Sequence, residues 1–175
     1  SLTAPNGTAQ QALLLASLHE AGTLSAQSML DEAHGTGTAL GDPIEAGSLV
    51  AAVLSARDKA LAVGGVKANS GHAEPAAGMT GLLKLALGLH VVEAAPNAQV
   101  RLLNPHVGDT LRGVTGALPA QFAAMAIGSG AVSSFGYSGT IAHVVLRHVG
   151  GTRCFAALAA LAEPLMYRCH AFSWR

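Results

Sequence analysis

The sequence predicts an α/β fold, and three observations predict it. Residues 61–66, Leu-Ala-Val-Gly-Gly-Val, form a short apolar run of strand length. Two stretches of helical length, residues 42–57 and 75–91, stand on either side of it. Two or three further short runs follow near residues 122–127, 130–135 and 142–147. With a strand-length segment over 26–33 ahead of them, the order is strand, helix, strand, helix and then strands, which is the alternation of a layered α/β domain.

Each element has a local cause. Asn6-Gly7 is a turn signal, and residues 10–21 after it read as a helix closed by Gly22. A Gly/Thr-rich loop over 34–41 follows the first strand. Asp42-Pro43-Ile44-Glu45 opens the next helix: Asp42 is expected to cap it, Pro43 suits the first helical position, and Glu45 completes a box-like pattern three residues on. After the strand at 61–66, residues 67–72 read as a loop. The helix over 75–91 is apolar on nearly every face, with Gly78, Gly81 and Gly88 permitting close backbone approach, so it is expected in the middle of a layered structure. Residues 96–119, rich in Asn, Pro and Gly, read as irregular. No internal repeat is evident. The chain changes character from Gly151, which divides it into a domain over 1–148 and a linker or docking tail over 149–175.

The 175 residues suffice for one domain with a true core. Half of them are apolar and only 11% are charged, against about 25% in an independent soluble domain. So little charge implies that part of the surface is covered by a partner, whether another domain, a second subunit or a missing segment. The net charge is zero, with neither a basic run nor an acidic tail, which argues against nucleic acid and against an anionic membrane surface. The longest apolar stretch, 76–92, is shorter than a membrane span of about 20 residues and is interrupted by Lys84 and His90. Cys154 and Cys169 fit no metal motif and do not make a disulfide scaffold, so a reduced, cytoplasmic setting is expected. The chain begins at Ser1 without a visible signal peptide, and is expected to be a piece of a longer reading frame.

Three glycine-rich junctions carry the chemistry. The first runs from Glu32-Ala33-His34-Gly35-Thr36-Gly37-Thr38 to Glu45; the second is Lys67-Ala68-Asn69-Ser70-Gly71-His72; the third is Ser133-Ser134-Phe135-Gly136-Tyr137-Ser138-Gly139-Thr140. The first two place a histidine just beyond a predicted strand, and strand ends are where reacting groups converge in α/β folds. Glycines at 35, 37 and 41 miss the dinucleotide fingerprint spacing by one, which disfavours a nucleotide-binding loop. The separation of His34 and His72 matches no familiar zinc spacing.

Taken together and in order, these junctions resemble the β-ketoacyl synthases (ketosynthases). That family carries a His-Gly-Thr-Gly-Thr loop, a Lys-x-Asn-x-Gly-His loop and a Ser-Phe-Gly-x-Ser-Gly-Thr loop before a final strand. Leu2 to Gly7 and Asn104-Pro105-His106-Val107 match further landmarks, and the likeness covers residues 2–146. Gly81 and Lys84 after the second loop look more like polyketide or animal-type fatty-acid synthases than free-standing elongation enzymes. The resemblance implies a thiolase-like fold, a layered αβαβα domain of which this chain is approximately the C-terminal half. It implies decarboxylative Claisen condensation of an acyl thioester with a malonyl thioester. His34 and His72 match the donors to the enolate oxygen, and Lys67 the lysine that organises them. Thr36 and Thr38 match hydroxyls that bind the phosphopantetheine arm. Phe135 belongs to the acyl-side loop, and Tyr137 falls at an aromatic gate. No cofactor is bound directly. The implied partners are an acyl carrier protein, the N-terminal half and, for the complete domain, a second copy.

Three departures accompany the likeness. The family's cysteine nucleophile lies in the N-terminal half, and neither Cys154 nor Cys169 matches its context. Ile141 replaces an asparagine, which is expected to loosen the gate loop. Asp31 stands where an apolar residue is usual, next to Glu32, and two adjacent acids in a buried strand are expected to perturb it unless paired. An alternative reading is a non-catalytic partner-binding subunit of the chain-length-factor type.

Overall fold

The computed structural model describes residues 4–98, 100 and 102–148. The tail over 149–175, with both cysteines, lies outside the described residues. Helix α1 (Gly7–Glu20) starts earlier than expected, because the Asn6 side chain accepts the Ala9 N–H at 3.1 Å and caps it. It ends before Gly22, whose φ of +57° only glycine adopts freely. Strand β1 (Ser28–Glu32) follows a short 3₁₀ turn. Helix α2 (Gly41–Ala52) stops short of residue 57: Val53 leaves the helical conformation and Leu54–Ala56 tighten into a 3₁₀ turn. Arg57 then folds back, donating to the carbonyls of Ser25, Ser28 and Lys59.

Strand β2 (Leu61–Gly64) leads into α3 (Lys67–Ser70), a single helical turn where a loop was expected; one turn is too short to leave a periodic signature. Helix α4 (Ala77–Val91) and strand β3 (Glu93–Ala94) follow. The stretch expected to be irregular contains α5 (Pro105–Thr110), capped by Asn104, and β4 (Gly116–Ala117). Strands β5 (Ala123–Ala124), β6 (Ser129–Phe135) and β7 (Ile141–Arg147) complete the described chain.

One five-stranded sheet organises these elements in the order β4-β2-β1-β6-β7, and β3 pairs with β5 separately. Strands β4, β2, β1 and β6 are parallel; β7 returns antiparallel to β6. Helices α1 and α2 cover one face, where Leu14, Leu18, Leu49, Leu54, Leu61 and Val63 pack. Helix α4 covers the other, where Leu30, Leu85, Leu89 and Val132 pack. Fully burying a leucine such as Leu85 contributes about 1.5–3 kcal/mol. Gly88 lets α4 approach, since a Cβ there would lie 3.1 Å from Leu30 and 3.0 Å from the Glu93 carbonyl.

The apolar helix does not lie between two layers among the described residues. Its outer face is open, with Met79, Leu83, Leu87 and Val91 between 49% and 62% exposed. At four-residue spacing these side chains form one stripe. The paired acids do not perturb β1. Asp31 and Glu32 keep regular register with both neighbours, and the irregularity falls between Ser28 and Leu30 instead.

Candidate active site

Because β1, β2 and β6 are parallel, their carboxyl ends share one edge of the sheet, and the three junctions emerge there together. His34 follows β1, Lys67 and His72 follow β2, and Phe135 ends β6. The rings of His34 and His72 lie 5.9 Å apart, nearly perpendicular, and the Phe135 ring lies 5.5 Å from that of His34. Residues separated by about a hundred positions thus meet at one point.

The electrostatics favour neutral imidazole at His34. Burial, then the charge of Lys67, then His72, lower its pKa to about 4. The Nδ1 atom of His34 is buried and without a hydrogen-bond partner among the described residues. His72 is exposed, and its Nδ1 accepts the Glu74 N–H at 3.3 Å. A neutral His72 therefore carries its proton on Nε2. Lys67 is half-buried; burial lowers its pKa, against the opposing pull of Glu45, Glu32 and Asp42.

Each loop is held by side chains that sequence reading assigned elsewhere or overlooked. Glu45 does not box its own helix: its carboxylate accepts the N–H groups of His34 at 2.7 Å and Gly35 at 2.9 Å. Asp42 does not cap it either, accepting the Gly37 N–H at 3.1 Å on both oxygens. Gly35 and Gly37, at φ +45° and +78°, turn those N–H groups toward the acids. The N-cap position of α2 is Leu40, which makes no side-chain capping bond, and Thr38 Oγ1 accepts the Gly41 N–H at 3.1 Å just ahead of the helix. Burial raises the pKa of Asp42, and it pushes Glu45 up to about 7 although two backbone N–H groups oppose it.

The second loop rests on Glu32 and Asn97. Glu32 accepts the Val66 N–H and pairs with Lys84 at 2.6 Å, with side-chain exposures of 1% and 15%. Asn97 accepts the Gly65 N–H at 2.7 Å and donates to the Val63 carbonyl at 2.9 Å. The signal for the Glu32–Lys84 pair was present in the sequence as two adjacent acids in a buried strand and one lysine in an apolar helix.

The remaining expected residues stand around this cluster. The hydroxyls of Thr36 and Thr38 are 3.4 Å apart on the outer side of the first loop. Tyr137 is 84% exposed at the tip of the β6–β7 hairpin. Ile141 pairs with Phe135, and backbone bonds from Gly136 to Thr140 at 2.7 Å and from Gly139 to Gly136 at 3.0 Å close the tip. A mainly apolar cavity of about 360 Å³ opens behind the first loop, lined by Gly35, Glu45, Gly65, Asn97 and Leu103 among others. Neither histidine lines it. No helix among the described residues is long and apolar enough to cross a membrane.

The model of the β-ketoacyl synthase C-terminal domain matches residues 1–101. A spectinabilin polyketide synthase system protein of Streptomyces orinoci is 44% identical over 150 residues, covering 83% of this chain and 4% of that protein. An erythronolide synthase of Saccharopolyspora erythraea is 40% identical over 148 residues, again 83% of this chain and 4% of that protein. Among solved structures, an oxazolomycin ketosynthase domain of Streptomyces albus superposes with a TM-score of 0.78 at 36% identity, covering 86% of this chain and 28% of that one. The ketosynthase from module 6 of the Bacillus subtilis bacillaene synthase gives a TM-score of 0.80 at 30% identity, covering 87% and 28%. The chain thus spans a small part of the curated relatives and under a third of the solved domains, and it has their thiolase-like α/β architecture.

Proposed function

The chain belongs to the β-ketoacyl synthase family, as a C-terminal ketosynthase segment of the polyketide-synthase type, and from that premise we propose that it supplies the enolate-forming side of a condensing enzyme. The observation that carries the reading is the pair of histidines 5.9 Å apart at adjacent strand ends, with His34 held neutral.

In the proposed reaction a malonyl thioester loses CO₂ and its electron pair becomes an enolate, with negative charge on the thioester oxygen. Two neutral imidazole N–H groups, from His34 and His72, donate to that oxygen. Preorganised donors of this kind are each worth about 10²–10³ in rate. The enolate carbon then attacks the acyl carbon of an acyl-cysteine. The new carbon–carbon bond forms as the carbon–sulfur bond breaks, and the thiolate leaves. The cysteine belongs to the N-terminal half of the domain. Lys67 holds positive charge beside His34 and keeps that imidazole from taking a proton. Thr36 and Thr38 bind the phosphopantetheine arm of an acyl carrier protein, Phe135 flanks the acyl chain, and the exposed Tyr137 gates its entry. No cofactor of the chain's own is required.

The N-terminal half is the proposed cover for Met79, Leu83, Leu87 and Val91, which would give α4 a second layer. The complete domain is proposed to form a homodimer in the cytoplasm. A scaffold without catalysis would have no use for two histidines and a lysine gathered at one edge.

Two experiments test this. The chain alone should transfer no acyl group to or from a carrier protein; turnover through Cys154 or Cys169 would overturn the assignment. Co-expression with a cysteine-bearing N-terminal half should restore condensation, and His34→Ala or His72→Ala should then abolish malonyl decarboxylation. Normal decarboxylation by either variant would remove the enolate role.

A further inference from the structure

Helix α3 carries Lys67 and leads to His72, yet it is a single turn of 4 residues with no side-chain bond at its N-cap, Val66. One turn does not hold itself in water, because fixing its dihedrals costs more than its first bonds gain. The bonds of its Asn69, Ser70 and Gly71 N–H groups stay inside the turn, and the Ser70 hydroxyl reaches only the Val66 and Gly71 carbonyls. What aims Lys67 therefore lies outside α3. Glu32 holds the start of the turn through the Val66 N–H.

Two asparagines hold the rest, and both do it in the same way. Strand β4 runs beside β2 only at Leu61 and Ala62. Just beyond, the side chain of Asn97 accepts the Gly65 N–H at 2.7 Å and donates to the Val63 carbonyl at 2.9 Å. These two groups flank Gly64, and a neighbouring parallel strand would take the same pair with its own peptide groups. Asn97, 6% exposed, thus stands in for a strand where β4 has ended. The backbone on either side of Asn97 is grasped in turn by Asn69. Its Nδ2 donates to the Pro96 carbonyl at 3.1 Å, and its Oδ1 accepts the Ala98 N–H at 2.8 Å. A donor and an acceptor side by side in one short side chain are what asparagine offers and aspartate lacks. The grasped segment is itself tied down, since the Asn97 N–H donates to the Pro119 carbonyl at 2.8 Å.

We propose that Asn69 and Asn97 are positioning residues: their interlocked side chains fix the α3 turn against the end of β2 and so set where Lys67 stands relative to His34. From that turn the charge of Lys67 reaches both His34 and Glu45. The role of Lys67 and His34 in a reaction rests on the condensation reading; the double clasp does not, and its test needs no turnover.

Amide hydrogen exchange is followed by NMR in the full chain at neutral pH. Asn69 is exposed, so Asn69→Ala leaves the core intact. In this variant the Ser70 and Gly71 amides should exchange about tenfold faster or more, while those of Leu30 and Val132 in the sheet keep their wild-type rates. The His34 ring signals are then followed from about pH 8 down to about pH 4. Once Lys67 is no longer fixed beside it, the His34 midpoint should rise by about half a pH unit or more from about 4. Lys67→Met should raise it as well, and adding Asn69→Ala to Lys67→Met should raise it no further. Asn97→Asp keeps the acceptor for Gly65 but loses the donor for Val63, and it should quicken the same two amides. Unchanged exchange at Ser70 and Gly71 would overturn the proposal. So would equal quickening throughout the sheet, which marks a merely structural role, an unmoved His34 midpoint, or a further rise in the double variant. Normal decarboxylation by His34→Ala would remove the condensation reading and leave these results standing.

Discussion

The two histidine loops leave adjacent parallel strands and bring their rings within 5.9 Å, yet they are held in opposite ways. The His34 loop is fastened by the helix that follows it, through Glu45 and Asp42, at separations of 11 residues or fewer. The segment leading to His72 is fastened from afar: Glu32 lies 34 residues before Val66, and Asn97 lies 32 after Gly65. The first loop can be shaped by its own helix, whereas the second waits for the sheet and the 96–119 segment to assemble. The anchors also differ in charge balance. Glu32 has a cation in Lys84, and Glu45 has only N–H donors and a distant lysine. One anchor is compensated by a paired cation; the other is held mainly by backbone N–H groups, with a smaller pull from Lys67, and burial pushes it up to about 7.

Substitutions can break this comparison. The largest effect is expected from Lys84→Met, which strands the Glu32 carboxylate in the core and should cost about 3–5 kcal/mol in urea denaturation. A loss under about 1 kcal/mol would mean that Glu32 is neutral without its partner. Glu45→Gln removes two charge-assisted bonds, worth about 1.5–3 kcal/mol. Its cost should be largest in acid and shrink as pH rises through about 7, because a carboxyl whose pKa burial raises from 4.5 to about 7 adds its stability while protonated. A smaller effect concerns His34, whose pKa falls from 6.5 to about 4 on folding. Its stabilising share is present above pH 6.5 and is lost as pH falls toward 4. His34→Gln should flatten that part of the stability profile. Tyr137→Ala should change stability by no more than about 0.5 kcal/mol, since the ring is exposed.

The order of strands and helices was legible because each run is long enough to show its period, and the strand ends could be placed because glycines and histidines follow them. That was enough to bring His34, His72 and Phe135 together. The anchors were not legible. Asp42 and Glu45 satisfy the chemistry of a helix start as well as that of a loop clamp, and only tertiary structure chose between them. Glu32 read as a cost and Lys84 as an interruption, because their 52-residue separation hides a neutral pair. The end of α2 at Ala52 was set by the distant carbonyls of Ser25 and Ser28, which draw Arg57 out of any helix.

The β6–β7 hairpin carries seven rungs in unbroken register, from Ser129 opposite Arg147 to Phe135 opposite Ile141. A bond between Ser133 Oγ and His143 Nδ1 at 3.0 Å ties the two strands sideways partway along. Strand alignment is thus fixed along the whole ladder as well as by the bonds that close the tip, Gly136 to Thr140 and Gly139 to Gly136. A change confined to the tip would leave Phe135, and the His34 ring 5.5 Å from it, anchored by the seven rungs below.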